Sequence, residues 1–192
     1  EAVGAGEEEL FCPRAYPLDA TESARLKLEG AKPDRMHHPC SGKHLLMIAS
    51  CHKHGDPVHG YWEDSHPAQS RVQSLVGPLL KSKPQWMRDG CGLPTLAVSA
   101  SAHMEMWQRL VGSDQTSHQN LVDLWVNNAR LVGGSRRLSS DLVEAAKGRV
   151  LVKEGADGAL ALQSLPDDNH PPATCFIKLS SGYQSHYLAL AL

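Results

Sequence analysis

Two periods of hydrophobic and polar positions run along this chain, and the change from one to the other organises it. The run SGKHLLMIASCHKHG is built of good helix formers and ends in a glycine, so it predicts a helix over about 42–54 with Ser41 as N-cap and Gly55 as stop. After a turn at DSHP, the segment PAQSRVQSLVGPLLKS predicts a helix over 67–82, with Val72, Leu75, Val76 and Leu79 as its apolar stripe. Helical spacing returns near 100–111, over 117–132 in SHQNLVDLWVNNARLVGG, and in the short capped stretch SSDLVEAA. Earlier, PLDATESARLKLEGAKP suits a short helix capped by Asp19 or Thr21 and ended by Gly30 and Pro33, although residues 1–35 suit a loosely packed arm equally well.

The late part of the chain alternates as strands do. RVLVKEGADGALALQSL predicts a hairpin with GADG as its loop, TLAVSA a short strand, and ATCFIKLSSGYQSHYLALAL a further strand followed by a C-terminal helix over the last dozen residues. Gly-Cys-Gly in RDGCGLP reads as a turn. With no internal repeat, the pattern predicts one α/β domain over 1–192, its helices packed on a mainly antiparallel sheet.

Composition narrows the function classes. A chain of 192 residues with 41% hydrophobic and 21% charged residues can bury a sizeable core. Its net charge of −2 and pI near 6.6 offer no field for a polyanion, so nucleic acid is not an expected partner. No apolar run approaches the roughly 20 residues of a membrane helix, and the acidic start EAVGAGEEEL is unlike a signal peptide. Five widely spaced cysteines fit thiols that are free or metal-bound in a reducing compartment, hence a cytoplasmic location. The first residue is Glu and not Met, which suits a chain that is processed or cut from a longer one.

The densest chemistry lies in HHPCSGKHLLMIASCHKHGDP. Cys40 stands just before a predicted helix, where the dipole and the neighbouring Lys43 and His44 favour a thiolate. Cys91 lies in DGCG between Gly90 and Gly92, and the two thiols can converge. Spacing alone leaves two readings open, a zinc corner or inert buried thiols, because closed structural zinc sites show tighter ligand pairs. Lysine joins a metal only as a neutral amine. Lys153, in VLVKEGADG, sits where a strand ends and can face a cleft or solvent. Ser50 and Lys53 form a Ser-x-x-Lys pair at a helix end, Cys12, Cys51 and Cys175 read as buried structural thiols, and His66 with Pro67 reads as the start of a helix. His37, His38, His52, His54 and His59 read as surface or loop residues.

Taken in order, HHPCSGKH, HGDPVHGYWEDSHPAQ, DGCGLPTLAV, GRVLVKEGADGALAL and IKLSSGYQSHYLALAL resemble the asparaginase II family of Rhizobium-type L-asparaginases from about Leu10 to the C-terminus. The resemblance implies a fold similar to part of the serine β-lactamases and penicillin-binding proteins, and hydrolysis of asparagine to aspartate and ammonia. It implies zinc on Cys40, Lys43 and Cys91, substrate beside Asp89 and His44, and Lys153 in the catalytic network. The family's Ser-x-x-Lys nucleophile pair belongs to a portion ahead of LFCPRAYPLD and is expected to lie outside this chain. The resemblance also leaves open a truncated, non-catalytic zinc-binding paralogue that binds a small amino acid or a partner chain. A β-lactamase-like fold without that portion would expose an apolar patch, from which a homo-oligomer is expected. Two positions depart from the family pattern: Pro39 replaces an asparagine before the cysteine, and His186 stands where an arginine is expected.

Overall fold

In the computed structural model, residues 4–81, 83–167 and 169–180 are described. The fold is α/β, with helices and small antiparallel sheets. It divides into two compact units, one comprising Glu1–Pro78 and Lys83–Ala97 and the other Leu79–Ser82 and Val98–Leu192.

The first unit holds α1 (Ala20–Leu28), α2 (Ser41–His54), α3 (Pro67–Val76) and a hairpin of β1 (Gln85–Arg88) and β2 (Pro94–Ala97). Asp19 caps α1 by accepting from the Glu22 amide at 2.9 Å. Gly55 ends α2 in the left-handed conformation at φ 71°. The N-cap of α2 is Cys40, one residue earlier than the hydroxyl of Ser41 suggested, and its thiol makes no capping bond.

Helix α3 begins as expected, with Pro67 at its first position and His66 Nδ1 accepting from the Ala68 amide at 3.1 Å. It stops at Val76 rather than at 82, giving way to a 3-10 turn over Gly77–Leu79, where proline cannot donate to the helical ladder. Its buried face is also not the aliphatic stripe. Ala68 and Gln69 face inward while Leu75 is 70% exposed. Gln69 belongs there because its amide donates to the Tyr61 carbonyl at 2.6 Å.

The core of this unit gathers Leu10, Cys12, Ile48, Cys51, Tyr61, Ala68, Cys91 and Leu93. Leu10 and Cys12 are therefore buried, and Arg35 Nη1 ties their segment down by donating to the carbonyls of Leu10 (2.9 Å), Phe11 (3.1 Å) and Cys12 (2.6 Å).

The second unit holds α4 (Ala100–Val111), α5 (Thr116–Asn127), α6 (Ala129–Gly133), α7 (Leu138–Ala145) and the antiparallel meander β3 (Val150–Gly155), β4 (Ala159–Ser164) and β5 (Thr174–Lys178). The helix expected over 117–132 is two helices. At Asn128 the backbone leaves the helical region (φ −131°, ψ 39°) and the side-chain amide takes the Leu124 carbonyl at 2.8 Å, offering the backbone a local alternative to the ladder.

Alternation on β3 sends Val152 toward Ala129 and Val143, and Leu151 toward Trp107, so the sheet has helices on both faces. The β3–β4 register pairs Lys153 with Ala161 and Glu154 with Leu160. Asp157 (φ 63°) and Gly158 (φ 68°) turn the hairpin where GADG predicted it. The C-terminal helix and His186 fall outside the described residues.

Candidate metal and substrate site

The first turn of α2 and the β1–β2 turn supply one cluster. Cys40 precedes the helix with its amide donating to His38 Nδ1 at 3.0 Å, and Lys43 follows one turn later. The β1–β2 turn closes through Gly92 N to the Asp89 carbonyl at 2.8 Å and Asp89 N to the Leu93 carbonyl at 2.9 Å. Arg88 Nη1 braces it by donating to the carbonyls of Trp62 (2.5 Å) and Gly92 (3.0 Å). Gly92, at φ 87°, lies under the ring of Phe11, which stacks on Trp62 with centroids 4.1 Å apart.

These supports place Cys40 Sγ, an Asp89 carboxylate oxygen and Cys91 Sγ within 4.8 Å of one another. Lys43 Nζ donates to Asp89 Oδ2 at 2.8 Å, Cys91 Sγ lies 3.8 Å from the same oxygen, and Gly90 N donates to Asp89 Oδ1 at 2.7 Å. Partial burial raises the Asp89 pKa, but the Lys43 hydrogen bond and charge outweigh it and hold the carboxyl below its ordinary value. Burial pulls Lys43 down, yet the bond to Asp89 and the nearby thiols leave it raised and protonated. Cys40 is pushed up to about 11, first by burial and then by Cys91, with Lys43 opposing. The thiol of Cys40 is thus neutral near pH 7, and a bound cation is what would favour its thiolate.

His44 lies wholly inside, next in sequence to Lys43. Its Nδ1 is 2.6 Å from the Tyr61 hydroxyl, which also receives the Phe11 amide at 2.8 Å. The Tyr61 oxygen accepts from Phe11 N–H and still has a proton to give and a second lone pair to share, so it pairs with either tautomer of the His44 ring. That Nε2 is buried with no hydrogen-bond partner among the described residues. Burial, then Lys43, pushes the His44 pKa down to about 4, so it is a neutral imidazole. Sequence reasoning gave no role to Tyr61 or His38, which orient His44 and Cys40. The signal available was only their place inside the motifs HGDPVHGYWEDSHPAQ and HHPCSGKH.

Lys153 belongs to the second unit, exposed on β3 with Nζ donating to the Glu154 carbonyl at 2.6 Å. Ser50 is not free to act with Lys53: its Oγ accepts from Arg71 Nε (3.3 Å) and Nη2 (3.2 Å). Cys12 and Cys51 are buried free thiols, but Cys175 is exposed, because it occupies an outward position of β5.

The family model for L-asparaginase II matches residues 1–191, essentially the whole chain. The chain belongs to the asparaginase II family. Against the curated proteins it has no match. In this asparaginase II chain the Cys40, Asp89 and Cys91 group could hold a metal ion. In donor chemistry the set fits zinc, since two sulfurs and a carboxylate are ligand types that zinc takes. Among the described residues no helix is long and apolar enough to cross a membrane.

Proposed function

We propose that this asparaginase II chain serves in hydrolysis of asparagine, with water cleaving the C–N bond of the substrate's amide to give aspartate and ammonia. The observation that carries the reading is the meeting of Cys40, Lys43, Asp89 and Cys91 in one unit of a chain matched end to end by the L-asparaginase II family. Cys40, Lys43 and Cys91 would hold zinc, Lys43 giving up its proton and its ion pair with Asp89 to ligate as a neutral amine. Bound zinc supplies positive charge that orients an amino-acid substrate and fixes the wall of the site.

Asp89 offers a carboxylate to the substrate ammonium. His44, a neutral imidazole whose buried Nε2 has no hydrogen-bond partner among the described residues, is the second substrate-binding group. Lys153 exchanges a proton with the attacking group. A homo-oligomer and a reducing, cytoplasmic setting complete the reading, the setting being supported by the free cysteines.

A second reading, a zinc-holding protein that binds asparagine without cleaving it, draws on one observation: the Ser50 hydroxyl is engaged by Arg71 and does not pair with Lys53. One experiment separates the two. Ammonia release from asparagine and from glutamine is measured beside calorimetric titration of each, in the parent protein, Lys153→Ala and Cys91→Ser. Turnover lost by about a hundredfold or more in Lys153→Ala supports the first reading. Binding without ammonia release supports the second. Neither binding nor release removes both.

A further inference from the structure

Next to Lys153, on the opposite face of β3, stands a buried acid with its own set of donors. Glu154 is 7% exposed and accepts from Ser139 Oγ at 2.9 Å, Ser139 N at 3.4 Å and Arg137 Nη2 at 3.1 Å. Ser139 is itself 2% exposed, in the first turn of α7. The N-cap of that helix, Arg137, makes no capping bond with its guanidinium. The carboxylate of Glu154 fills the vacant capping role from a neighbouring strand, accepting from the Ser139 amide and hydroxyl and from the Arg137 guanidinium.

The consequence falls on the strand. Among the described residues β3 pairs only with β4 and stands first in the order β3-β4-β5. There the clamp of Glu154 to α7 fixes the backbone at residue 154, and the carbonyl of residue 154 is the acceptor for Lys153 Nζ at 2.6 Å. A lysine that must exchange a proton needs its nitrogen held to within about 0.5 Å.

We propose that Glu154 is a positioning residue for Lys153: its carboxylate, gripped by Ser139 and Arg137, holds the carbonyl that seats the lysine nitrogen. The inference rests on the reading of Lys153 as a catalytic group, but its test does not. In the intact protein, lysines are acetylated with an N-hydroxysuccinimide ester, and the rate at Lys153 is followed by peptide mass spectrometry against Lys147 and Lys178 as internal references.

Glu154→Ala shifts the ratio of the Lys153 rate to both references by about threefold or more, Ser139→Ala shifts it less, and Glu154→Gln, which keeps an acceptor for Ser139, stays within about twofold of the parent. A ratio unchanged in both Glu154→Ala and Ser139→Ala overturns the proposal, as does equal acceleration of all three lysines. If Glu154→Ala does not fold, Ser139→Ala decides alone. With asparagine as substrate, Glu154→Ala lowers kcat at unchanged KM and Glu154→Gln restores it; a loss carried by KM alone counts against positioning. If Lys153→Ala leaves ammonia release intact, the catalytic reading of Lys153 falls while the acetylation ratio still tells whether Glu154 seats it.

Discussion

Replacing Gly92 by alanine sets two costs against the turn that carries Asp89 and Cys91. The backbone there has φ 87°, a left-handed conformation that costs an L-residue with a Cβ about 1–2 kcal/mol. The new Cβ would also lie 2.4 Å from Phe11 Cε1 and 2.8 Å from Phe11 Cδ1. The ring cannot slide away cheaply, since it stacks on Trp62 at an interplanar angle of 7°. Overpacking of this kind adds about 1–3 kcal/mol, so Gly92→Ala is expected to lose about 2–5 kcal/mol in all.

The two costs separate in a double-mutant cycle read by urea unfolding and tryptophan fluorescence. Phe11→Ala removes the clash but not the backbone strain. In the Phe11→Ala/Gly92→Ala protein the penalty of the alanine should therefore shrink to the backbone part, with a coupling energy of about 1–3 kcal/mol. Additivity of the two single changes to within about 0.5 kcal/mol would refute the steric argument, and a loss below about 1 kcal/mol for Gly92→Ala would refute both parts.

Other expectations follow from the same cluster. Cys40→Ser and Cys91→Ser should each reduce bound zinc by about tenfold or more at equal total metal, checked by elemental analysis after dialysis; unchanged zinc in both would dismiss the site. His44 contributes through burial of its neutral form. Its folded pKa near 4 lies below the ordinary 6.5, so its stabilisation is complete above about pH 6.5 and is lost as pH falls toward 4. In chelator-containing buffer this amounts to about 2 kcal/mol between pH 7 and 5. His44→Gln should flatten that slope in urea titrations, and an equally steep slope in the variant would show that another group carries it. Asp89 also has a depressed pKa, so its ion pair with Lys43 acts above about pH 4 and fades on further acidification. Because both side chains are about a third exposed or more, Asp89→Asn should cost under about 1 kcal/mol at pH 7, and a larger loss would mark the carboxylate as structurally essential.

Much of the fold is legible because its signals are local. Asp19, Gly55 and His66–Pro67 fix helix ends by their own side chains or backbone preferences, and the alternation through VLVKEGADGALAL needs only period two to predict a hairpin. Where prediction fails, a local preference meets a competitor. Asn128 interrupts an apolar helical repeat with an amide that prefers the Leu124 carbonyl, and Gln69 takes an inward position that aliphatic spacing assigned to Leu75. Strand β1, QWMR, is exposed at three of its four positions, so it carries no alternation to read. At the site, cysteines beside a helix start and between glycines are visible as Cys40 and Cys91. The ion pair of Lys43 with Asp89 and the seating of His44 against Tyr61 join residues far apart in sequence, so linear spacing holds no trace of them.

That separation gives the metal corner a second aspect. Cys40 and Cys91 are joined by about 50 residues, and closing a loop of that length costs on the order of 3–4 kcal/mol of conformational entropy. An ion bridging the two thiolates would act as a crosslink, because it can bind both only where the loop is already closed. Zinc affinity becomes a gauge of folding: Ile48→Ala, a core change in α2 outside the donor set, should weaken zinc binding in proportion to the fraction of molecules it unfolds.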